Sequence, residues 1–477
     1  MNAVLKQFTS LQGWKKLLSL IVLAGLIVLF GFLSYRVSPL YVLGGLGSAI
    51  IALVVFQNPW HGILLLTFFI PFERIGSTDI AGTTIRPSQI TALLTMVSFF
   101  FLGLGRKRFG IPKNPTVYPL AAFILIALVG LLNAPNLGRS VTVLAFTLFT
   151  LALGVFIPFM VKKKKHVEQM LNFFFASMLL VTLFGLYQFA GDLIGLPPEL
   201  TGLRELYTKD ILGFPRVQST ALEPLYFANY LLVPLSILLS FFFARTKSIH
   251  PLVTVGLFGL GIINLVLTVA RGGYIAFAVS AGILIIYYFF QLKLVTWRNF
   301  GYAVISLIIG VIILFKAVGI EAVTNNFASH VGNLFEGASF SERVEMYEIA
   351  YKAWLDHPWV GIGPGSFGPY ASWHPYVVPQ HGWSIVNNEY LELLAENGIL
   401  GLIAMSLVFV IVIIRSIKAI MIAKDPYLQA VTVGVLAGFL GILVQYNTFS
   451  ILYIVHIWFV VGLLVALQNI IFKDHQS

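Results

Sequence analysis

GILGLIAMSLVFVIVIIRSI, residues 398–417, is a run of twenty residues that contains one charge, Arg415. About twenty predominantly apolar residues are enough for an α-helix to cross a bilayer, and in hydrocarbon only helices and closed barrels satisfy their own backbone. Apolar residues make up 58% of the 477-residue chain and charged residues 10%, against about 25% charged residues in a soluble domain. The sequence therefore predicts an all-α polytopic membrane protein.

Apolar segments of this kind recur along the whole chain. The sequence predicts membrane helices at 17–34, 39–57, 61–72, 88–105, 116–134, 140–161, 170–191, 222–244, 251–270, 272–291, 299–319, 398–417, 428–447 and 451–472. The third segment is short for a simple span and is a candidate re-entrant segment, so the expected number is about 12–14. Residues 1–477 are thus predicted to form a single transmembrane domain, with one large loop between the last three spans and the rest.

The charges predict which side of the membrane each loop occupies, because cytoplasmic loops are enriched in lysine and arginine. With the amino terminus inside, one side collects 19 of the 30 basic residues and three of the 19 acidic ones, and the other side 11 basic and 16 acidic residues. Both termini are therefore expected in the cytoplasm, with residues 192–221 and 320–397 as external loops. The net charge of +11 follows from this asymmetry, and no basic face suited to nucleic acid is evident.

The external loop 320–397 gathers much of the chain's reactive chemistry. Between residues 319 and 397 lie four of the nine histidines, four of the eight tryptophans and nine of the 19 acidic residues. Ser339 and Glu342 have the spacing of a helix capping box, and apolar residues recur after them at helical intervals, which predicts an amphipathic helix over about 341–356. A second helix is expected to start near Asn387 and to run into the following span.

The glycine-rich run GIGPG at 361–365 has two interpretations. Successive backbone N–H groups can form a nest that binds phosphate. The run lacks the lysine followed by serine or threonine that makes a phosphate-binding loop specific, and it lies on the side of the membrane where ATP is scarce. A turn is therefore the preferred interpretation.

Three arginines, Arg216, Arg271 and Arg343, lie at predicted helix ends on the external side. A guanidinium group presents a planar set of donors that suits phosphate oxygens, and the two glycines after Arg271 would let a ligand approach closely. We therefore predict that these arginines bind an anion. The alternatives are that Arg271 extends to the membrane interface, and that Arg216 and Arg343 form salt bridges with Glu223 and Glu345.

Histidine titrates near neutral pH, which suits removal of a proton from a sugar hydroxyl. His381 lies just before the second predicted loop helix and is the candidate general base. His357 more resembles a helix stop, and no metal-ligand spacing links the loop histidines, so no metal site is predicted. Glu389, Glu392 and Glu396 repeat at helical spacing, and they either flank a site or face solvent.

With these residues in view, the chain resembles the bacterial O-antigen ligase and Wzy-type polymerase superfamily of membrane glycosyltransferases. The resemblance covers roughly residues 200–410 and includes the many-spanning layout with one large late loop. Its motifs, in chain order, are Arg216 before a helix, Ala270-Arg271-Gly272-Gly273, Glu342-Arg343, Trp354-Leu355-Asp356-His357-Pro358, Gly361-Ile362-Gly363-Pro364-Gly365 and NNEYLELLAENGILG at 387–401. Each motif is weak alone, but their order and shared membrane side make the resemblance fairly specific.

The resemblance implies a reaction and its partners. Family members transfer a saccharide from an undecaprenyl-diphosphate carrier to a glycan or lipid acceptor at the external face of the bacterial cytoplasmic membrane. The acceptor is lipid A core for ligases and another carrier-linked repeat for polymerases. The glycosyl-diphosphate bond supplies the energy, so no cofactor, nucleotide or metal is expected, and Arg216, Arg271 and Arg343 would hold the diphosphate.

One position departs from the family pattern. Family ligases carry a histidine as general base eleven residues before the first glycine of a Gly-x-x-Gly element, and Asn387 stands at that position here. Either His381 or a loop carboxylate such as Glu389 supplies the base, or proton removal needs no strong base, or the chain is a polymerase with different chemistry. Ligase and polymerase therefore both stay open. Asn388 and Glu396 are further candidate site residues.

Other interpretations of the chain stay open beside the glycosyltransferase. The loop tryptophans, Trp383 among them, would offer apolar faces to sugar rings or anchor the loop at the interface. A transporter or flippase for a polysaccharide precursor usually carries charges or broken helices at mid-membrane, whereas these spans are almost free of charge. A non-catalytic assembly scaffold is the third interpretation, and the asparagine at the family histidine position favours it.

Overall fold

The structure is a computed structural model that describes residues 39–80, 83–106, 114–246, 249–291, 338–380, 382–450 and 452–476. The regular elements of the described residues are helices, apart from one two-stranded antiparallel hairpin that the sequence did not predict. This architecture confirms the expected all-α polytopic membrane fold. The predicted helices at 17–34 and 299–319 lie outside the described residues.

The helices are α1 Pro39–Gln57, α2 Pro59–Phe69, α3 Pro87–Arg106, α4 Val117–Gly130, α5 Leu137–Met160, α6 Lys164–Leu193, α7 Pro198–Thr201, α8 Lys209–Leu212, α9 Pro224–Ala244, α10 Pro251–Leu267, α11 Arg271–Ile286, α12 Ala338–Asp356, α13 Phe367–Ala371, α14 Glu389–Ile422, α15 Pro426–Gln445 and α16 Val455–Gln476. The hairpin pairs β1 Thr78–Ile80 with β2 Thr83–Ile85. Short 3-10 turns lie at Leu131–Asn133 and Glu205–Tyr207, and a π turn at Tyr287–Gln291 extends α11.

Each of the other twelve predicted spans coincides with one of these helices. Among the described residues, seven helices are long and apolar enough to cross a membrane: α5, α6, α9, α11 with its π turn, α14, α15 and α16. Five shorter apolar helices, from α1, α2, α3, α4 and α10, accompany them. Membrane crossing by these five, and with it the expected total, stays a prediction.

The helices start where the sequence supplies a partner for the first unpaired N–H groups. The side chains of Asn136, Asn388 and Asp425 accept hydrogen bonds from N–H groups in the first turns of α5, α14 and α15. Proline is the first residue of α9, α10 and α15. A backbone N–H at this position would have no hydrogen-bond partner within the helix, so its absence in proline costs nothing. These local signals explain why the predicted starts agree with the structure to within a few residues.

The centre of the bundle is a close contact between α9 and α15. A Cβ on Gly434 would lie 2.7 Å from the Cα of Ile237, and one on Gly438 would lie 2.8 Å from the Cα of Val233. Small residues four apart let two helix backbones approach in an apolar environment. A buried hydrogen bond of 2.7 Å from Asn229 to Gln445 adds a polar tie between the same helices, and α16 packs beside them as a mostly buried helix.

The connections between helices gather at two ends of the bundle. We call the end that carries residues 194–223, 268–270 and 338–388 the loop end, and the end that carries 161–163 and 423–425 the far end. At the far end Lys164 pairs with Asp425 at 2.7 Å. This grouping agrees with the alternation of the predicted spans, and the side of the membrane that each end faces stays a prediction.

Replacing Gly438 with alanine is expected to lower the apparent melting temperature of the detergent-solubilised protein, because the added methyl group meets backbone atoms of α9. Overpacking of this kind costs about 1–3 kcal/mol. Gly259→Ala in α10 is the matched control, because no heavy atom lies within 4 Å of the added Cβ. Equal melting temperatures for the two variants would contradict the close α9–α15 contact.

Candidate active site

Two of the three predicted anion-binding arginines lie close together at the loop end. Arg216 donates from Nε to the carbonyl oxygen of Thr268 at 3.2 Å and from Nη2 to that of Val269 at 3.4 Å. Arg271 follows as the first residue of α11, and its charge acts on Arg216. Arg216 is therefore bonded to the short turn between α10 and α11 that leads into Arg271.

The surroundings of Arg216 make a positive site that an anion would stabilise. Burial lowers the pKa of Arg216, the negative charge of Glu223 raises it in part, and the positive charge of Arg271 lowers it further. The Tyr207 ring lies 5.6 Å from the guanidinium carbon, and burial raises the pKa of Tyr207 to about 12. The phenol is therefore neutral at physiological pH and offers a ring face to the cation rather than a counterion.

The salt bridges considered as alternatives for the arginines are not formed among the described residues. The carboxylate of Glu223 lies 4.0 Å from Arg204 and forms no ion pair with Arg216. Arg343 lies half-buried near the start of α12, and within the described chain no ion pair joins it to Glu345. The structure thus places Arg216 near Arg271, and within the described residues no hydrogen bond or ion pair joins Arg343 to either of them.

A segment that the sequence prediction assigned mostly to spans links the two parts of the site. The predicted helices 428–447 and 451–472 left three residues between them, whereas α15 ends at Gln445 and α16 begins at Val455. We call the intervening residues 446–454 the connecting segment. Its asparagine, threonine and serine among apolar neighbours are the sequence signal that could have identified it.

The connecting segment contacts both α11, the helix that begins with Arg271, and the end of the loop that precedes α14. A Cβ on Gly272, next to Arg271, would lie 2.0 Å from Oγ1 of Thr448, so the start of α11 packs directly against the segment. Two residues further on, Ser450 Oγ accepts a hydrogen bond of 3.0 Å from the N–H of Asn387. The family-motif region at 387–401 is therefore held beside the helix that begins with Arg271.

The glycine-rich run 361–365 is a turn that docks on the start of α14. The side chain of Glu396 accepts hydrogen bonds from the N–H groups of Gly365 at 2.7 Å and Phe367 at 2.9 Å. The carbonyl of the same glutamate accepts the N–H of Gly363 at 2.9 Å. Because these N–H groups are bonded to the protein itself, the geometry supports the turn over the phosphate nest.

The residues just before the glycine-rich run supply hydrogen-bond acceptors where α14 is broken. Gly398 has φ 64° and ψ −174°, which interrupts the helix after its first turns. The N–H groups of Ile399 and Leu400 donate to the carbonyls of Pro358 and Trp359, at 2.9 and 3.3 Å. A Cβ on Gly398 would lie 2.3 Å from the carbonyl carbon of Trp359, so only glycine fits both the positive φ and the close approach.

Arg139 of α5 is a site residue that the sequence prediction missed. Its Nε donates to the carbonyl of Gly365 at 2.7 Å, and its guanidinium carbon lies 5.5 Å from the ring centre of Trp383. The neighbouring Ser140 shares a hydrogen bond of 2.8 Å with Ser366. The two hydrogen bonds each join residues that lie 226 positions apart in the chain. Local sequence patterns therefore gave no signal for them.

The three loop glutamates do not form a solvent-facing row. Glu389 is 2% exposed and Glu396 is 8% exposed, and Glu392 is half-buried. The carboxylate of Glu392 accepts the N–H of Val386 at 3.3 Å and is hydrogen-bonded to Ser450. The solvent-facing alternative is therefore wrong for Glu389 and Glu396, because the turn and the connecting segment cover this side of α14.

The two asparagines of the motif have different positions. Asn388 caps α14, and its side chain accepts hydrogen bonds of 3.1 Å from the N–H groups of Tyr390 and Leu391. Asn387 has a left-handed backbone with φ 58°, a conformation that asparagine tolerates better than most residues. It lies at the junction of the loop, α14 and the connecting segment.

The loop histidines are spread over the loop. His381, the candidate base, lies outside the described residues, as does His330. His357 follows the end of α12, which agrees with its interpretation as a helix stop. His374 is exposed, with its ring stacked 5.7 Å from that of Trp373. Neither of the described loop histidines, His357 and His374, takes part in the hydrogen bonds of Glu392 and Glu396.

A second cluster of charged residues, which the sequence analysis did not predict, lies beside the loop that carries Arg216. Glu73 is buried and accepts the N–H of Leu222 at 3.3 Å. Burial raises the pKa of Glu73, and the positive charge of Arg86 lowers it in part. Both charges act on Tyr226, whose ring packs edge-on against Phe449 of the connecting segment at 4.8 Å. Ionisable side chains thus continue across the loop end.

Glu396→Ala is expected to loosen the turn at 361–365, because two buried N–H groups lose their acceptor. An unsatisfied buried donor costs about 1–3 kcal/mol. Limited proteolysis of the purified protein should cut between α12 and α14 faster than in the wild type. Glu348→Ala, at an exposed position on α12, is the control and should leave the rate unchanged. An unchanged rate in Glu396→Ala would contradict the anchoring role.

Comparison with known proteins finds a family model that matches part of the chain. Residues 256–406, which are 151 of the 477 residues, match the sequence profile of the family described as O-antigen ligase. The match contains Arg271, Arg343, the glycine-rich run and the motif at 387–401, and it begins after Arg216. No curated protein matches the chain. Over residues 256–406 the match supports the resemblance of the chain to the O-antigen ligase and Wzy-type superfamily of membrane proteins.

Proposed function

We propose that the protein transfers a saccharide from an undecaprenyl-diphosphate carrier onto a glycan or lipid acceptor at the external face of the cytoplasmic membrane. The observation that carries this proposal is the placement of Arg216 beside Arg271 at the loop end. Two adjacent guanidinium groups repel one another, and a ligand with two neighbouring phosphates relieves the repulsion. A lipid-linked diphosphate has this charge and reaches the site from the bilayer.

The reaction is a direct displacement at the anomeric carbon of the donor sugar. An acceptor hydroxyl forms the new glycosidic bond while the bond to the diphosphate breaks, and the electron pair leaves with the phosphate oxygen. Negative charge therefore grows on the diphosphate in the transition state. Arg216 and Arg271 stabilise this charge with preorganised donors, and such donors are among the largest contributions to catalysis.

The placement of charge supports catalysis over transport. The described parts of α9, α15 and α16 that form the buried centre contain no Asp, Glu, Lys or Arg before Lys473, and their polar tie is the amide pair Asn229–Gln445. The charged groups of the site collect at the loop end instead. A transporter would need a binding site near mid-membrane that opens to both sides. Transport or a scaffold role is the outcome if no transfer is measured.

Turnover of a native undecaprenyl-diphosphate oligosaccharide by the purified protein tests the proposal. Arg216→Ala and Arg271→Ala should each lower kcat by about 10²–10³-fold, as the loss of a transition-state donor does. Arg271→Lys should recover only part of the loss, because lysine cannot present two parallel donors. Arg245→Ala, exposed at the far end, is the control and should retain wild-type turnover.

The products distinguish the two reactions of the superfamily. A lengthened lipid-linked glycan with release of undecaprenyl diphosphate would identify a polymerase, and transfer to a different lipid or glycan would identify a ligase. Wild-type turnover in both arginine variants would remove the diphosphate site from the proposal. No turnover by the wild type with any carrier-linked donor of its host would overturn the proposed function.

A further inference from the structure

A small cavity lies between α4, α5, the first turns of α14 and the connecting segment. Its volume is about 20 Å³, which is room for one group the size of a water molecule, such as a hydroxyl, but not for a sugar ring. The polar groups that line it are Glu389, Glu392, Glu396, Asn397, Tyr453 and Thr147. Apolar side chains of α4 and α5 close the rest of the wall.

One of these polar groups marks the cavity as a place for a ligand. Asn397 is 4% exposed, and its Oδ1 has no hydrogen-bond partner within the described part of the chain. The side chain is fixed from behind, because a Cβ on Gly401 would lie 2.3 Å from the Cβ of Asn397. A buried amide left unpaired is costly, and a hydroxyl group in the cavity would satisfy it with either end of the amide.

The three glutamates of the cavity are not equivalent. The carboxylate of Glu396 accepts two N–H groups of the glycine-rich turn and so has a structural task. Glu392 is only half-buried and is hydrogen-bonded to Ser450, which also accepts the N–H of Asn387. Glu392 is therefore the carboxylate that combines a fixed position with the greatest exposure of the three.

We propose that the cavity receives the hydroxyl group of the acceptor saccharide and that Glu392 accepts its proton. The inference rests on the proposed function and adds the residue that activates the acceptor. The hydroxyl proton moves to the Glu392 carboxylate as the acceptor oxygen bonds to the anomeric carbon, and the bond from that carbon to the diphosphate breaks. The electron pair departs on the diphosphate, and the proton later leaves Glu392 for solvent.

The charged and titratable neighbours of Glu392 come from three elements. Arg139 of α5 attracts a negative charge on Glu392. Glu396 and Glu389 of α14 and the hydroxyl of Tyr453 in the connecting segment face the same cavity, and the charge of Glu392 acts on Glu396. Glu392 accepts a proton only when it is ionised, so turnover must fall as pH decreases through its titration. An activity that depends on Glu392 therefore has an acidic limb.

The test measures kcat, KM and their pH dependence for the full-length protein with a carrier-linked donor. Glu392→Gln keeps the shape of the side chain but cannot accept the proton, so kcat should fall by about 10²–10⁴-fold. The KM for the donor should stay within about threefold, and the residual activity should lose its acidic limb. Glu348→Gln, an exposed carboxyl on α12, is the control and should match the wild type.

A second pair of variants keeps the test informative if Glu392→Gln perturbs the fold. Glu392→Asp retains a carboxylate, and it should retain the acidic limb with a lower kcat. Asn387→His, made in the Glu392→Gln background, introduces an imidazole at the residue whose backbone N–H donates to the Ser450 hydroxyl that Glu392 contacts, and it should restore at least tenfold of the lost kcat. A purely structural role for Glu392 would not be rescued in this way.

The outcomes separate this inference from the proposed function. Wild-type turnover with an equally active Glu392→Gln variant would overturn the role of Glu392 and leave the glycosyltransferase standing. A loss of kcat in Glu392→Gln with an unchanged pH profile and no rescue by Asn387→His would also overturn it. Absence of turnover by the wild type would overturn both.

Discussion

The hydrogen bonds from the glycine-rich turn to the buried carboxylate of Glu396 are the constraint on which the loop end depends. A glycine-rich run has a large conformational entropy to lose, and its backbone N–H groups must find partners once they are buried. A carboxylate is the side chain that can accept two of them at once. The turn is thereby fixed on α14, and the side chains that bind the turn are held in place with it.

The contacts spread from this anchor in two directions. Toward α5, Arg139 and Ser140 bind the turn, so a helix from the first half of the chain becomes part of the wall around the glutamates. Toward α15 and α16, the N–H of Glu389 donates to the carbonyl of Tyr446 at 2.8 Å, and the connecting segment then reaches the start of α11. The glutamates of α14 and the arginines near the start of α11 are thus held by one continuous set of contacts, although they lie far apart in sequence.

The sequence predicted those parts of the structure that depend on local chemistry. The spans follow from apolar length, and the helix expected to start near Asn387 is α14, which begins at Glu389. The proximity of Arg216 to Arg271 was expected only as a shared membrane side, and the hydrogen bonds to Thr268 and Val269 give it a geometry. Arg139 and Glu73 could not be found, because their roles arise from packing between distant segments and leave no periodic pattern, whereas the polar residues of the connecting segment were a local signal that the predicted spans passed over.

The break in α14 at Gly398 has a consequence for how the protein is made. The N–H groups of Ile399 and Leu400 have their partners in the loop, at Pro358 and Trp359, and not in the helix itself. If α14 entered lipid alone, these groups would be desolvated without acceptors, at several kcal/mol each. The loop that precedes α14 must therefore fold against its first turns as the helix enters the bilayer, so that the insertion of this helix and the folding of the loop end are one event.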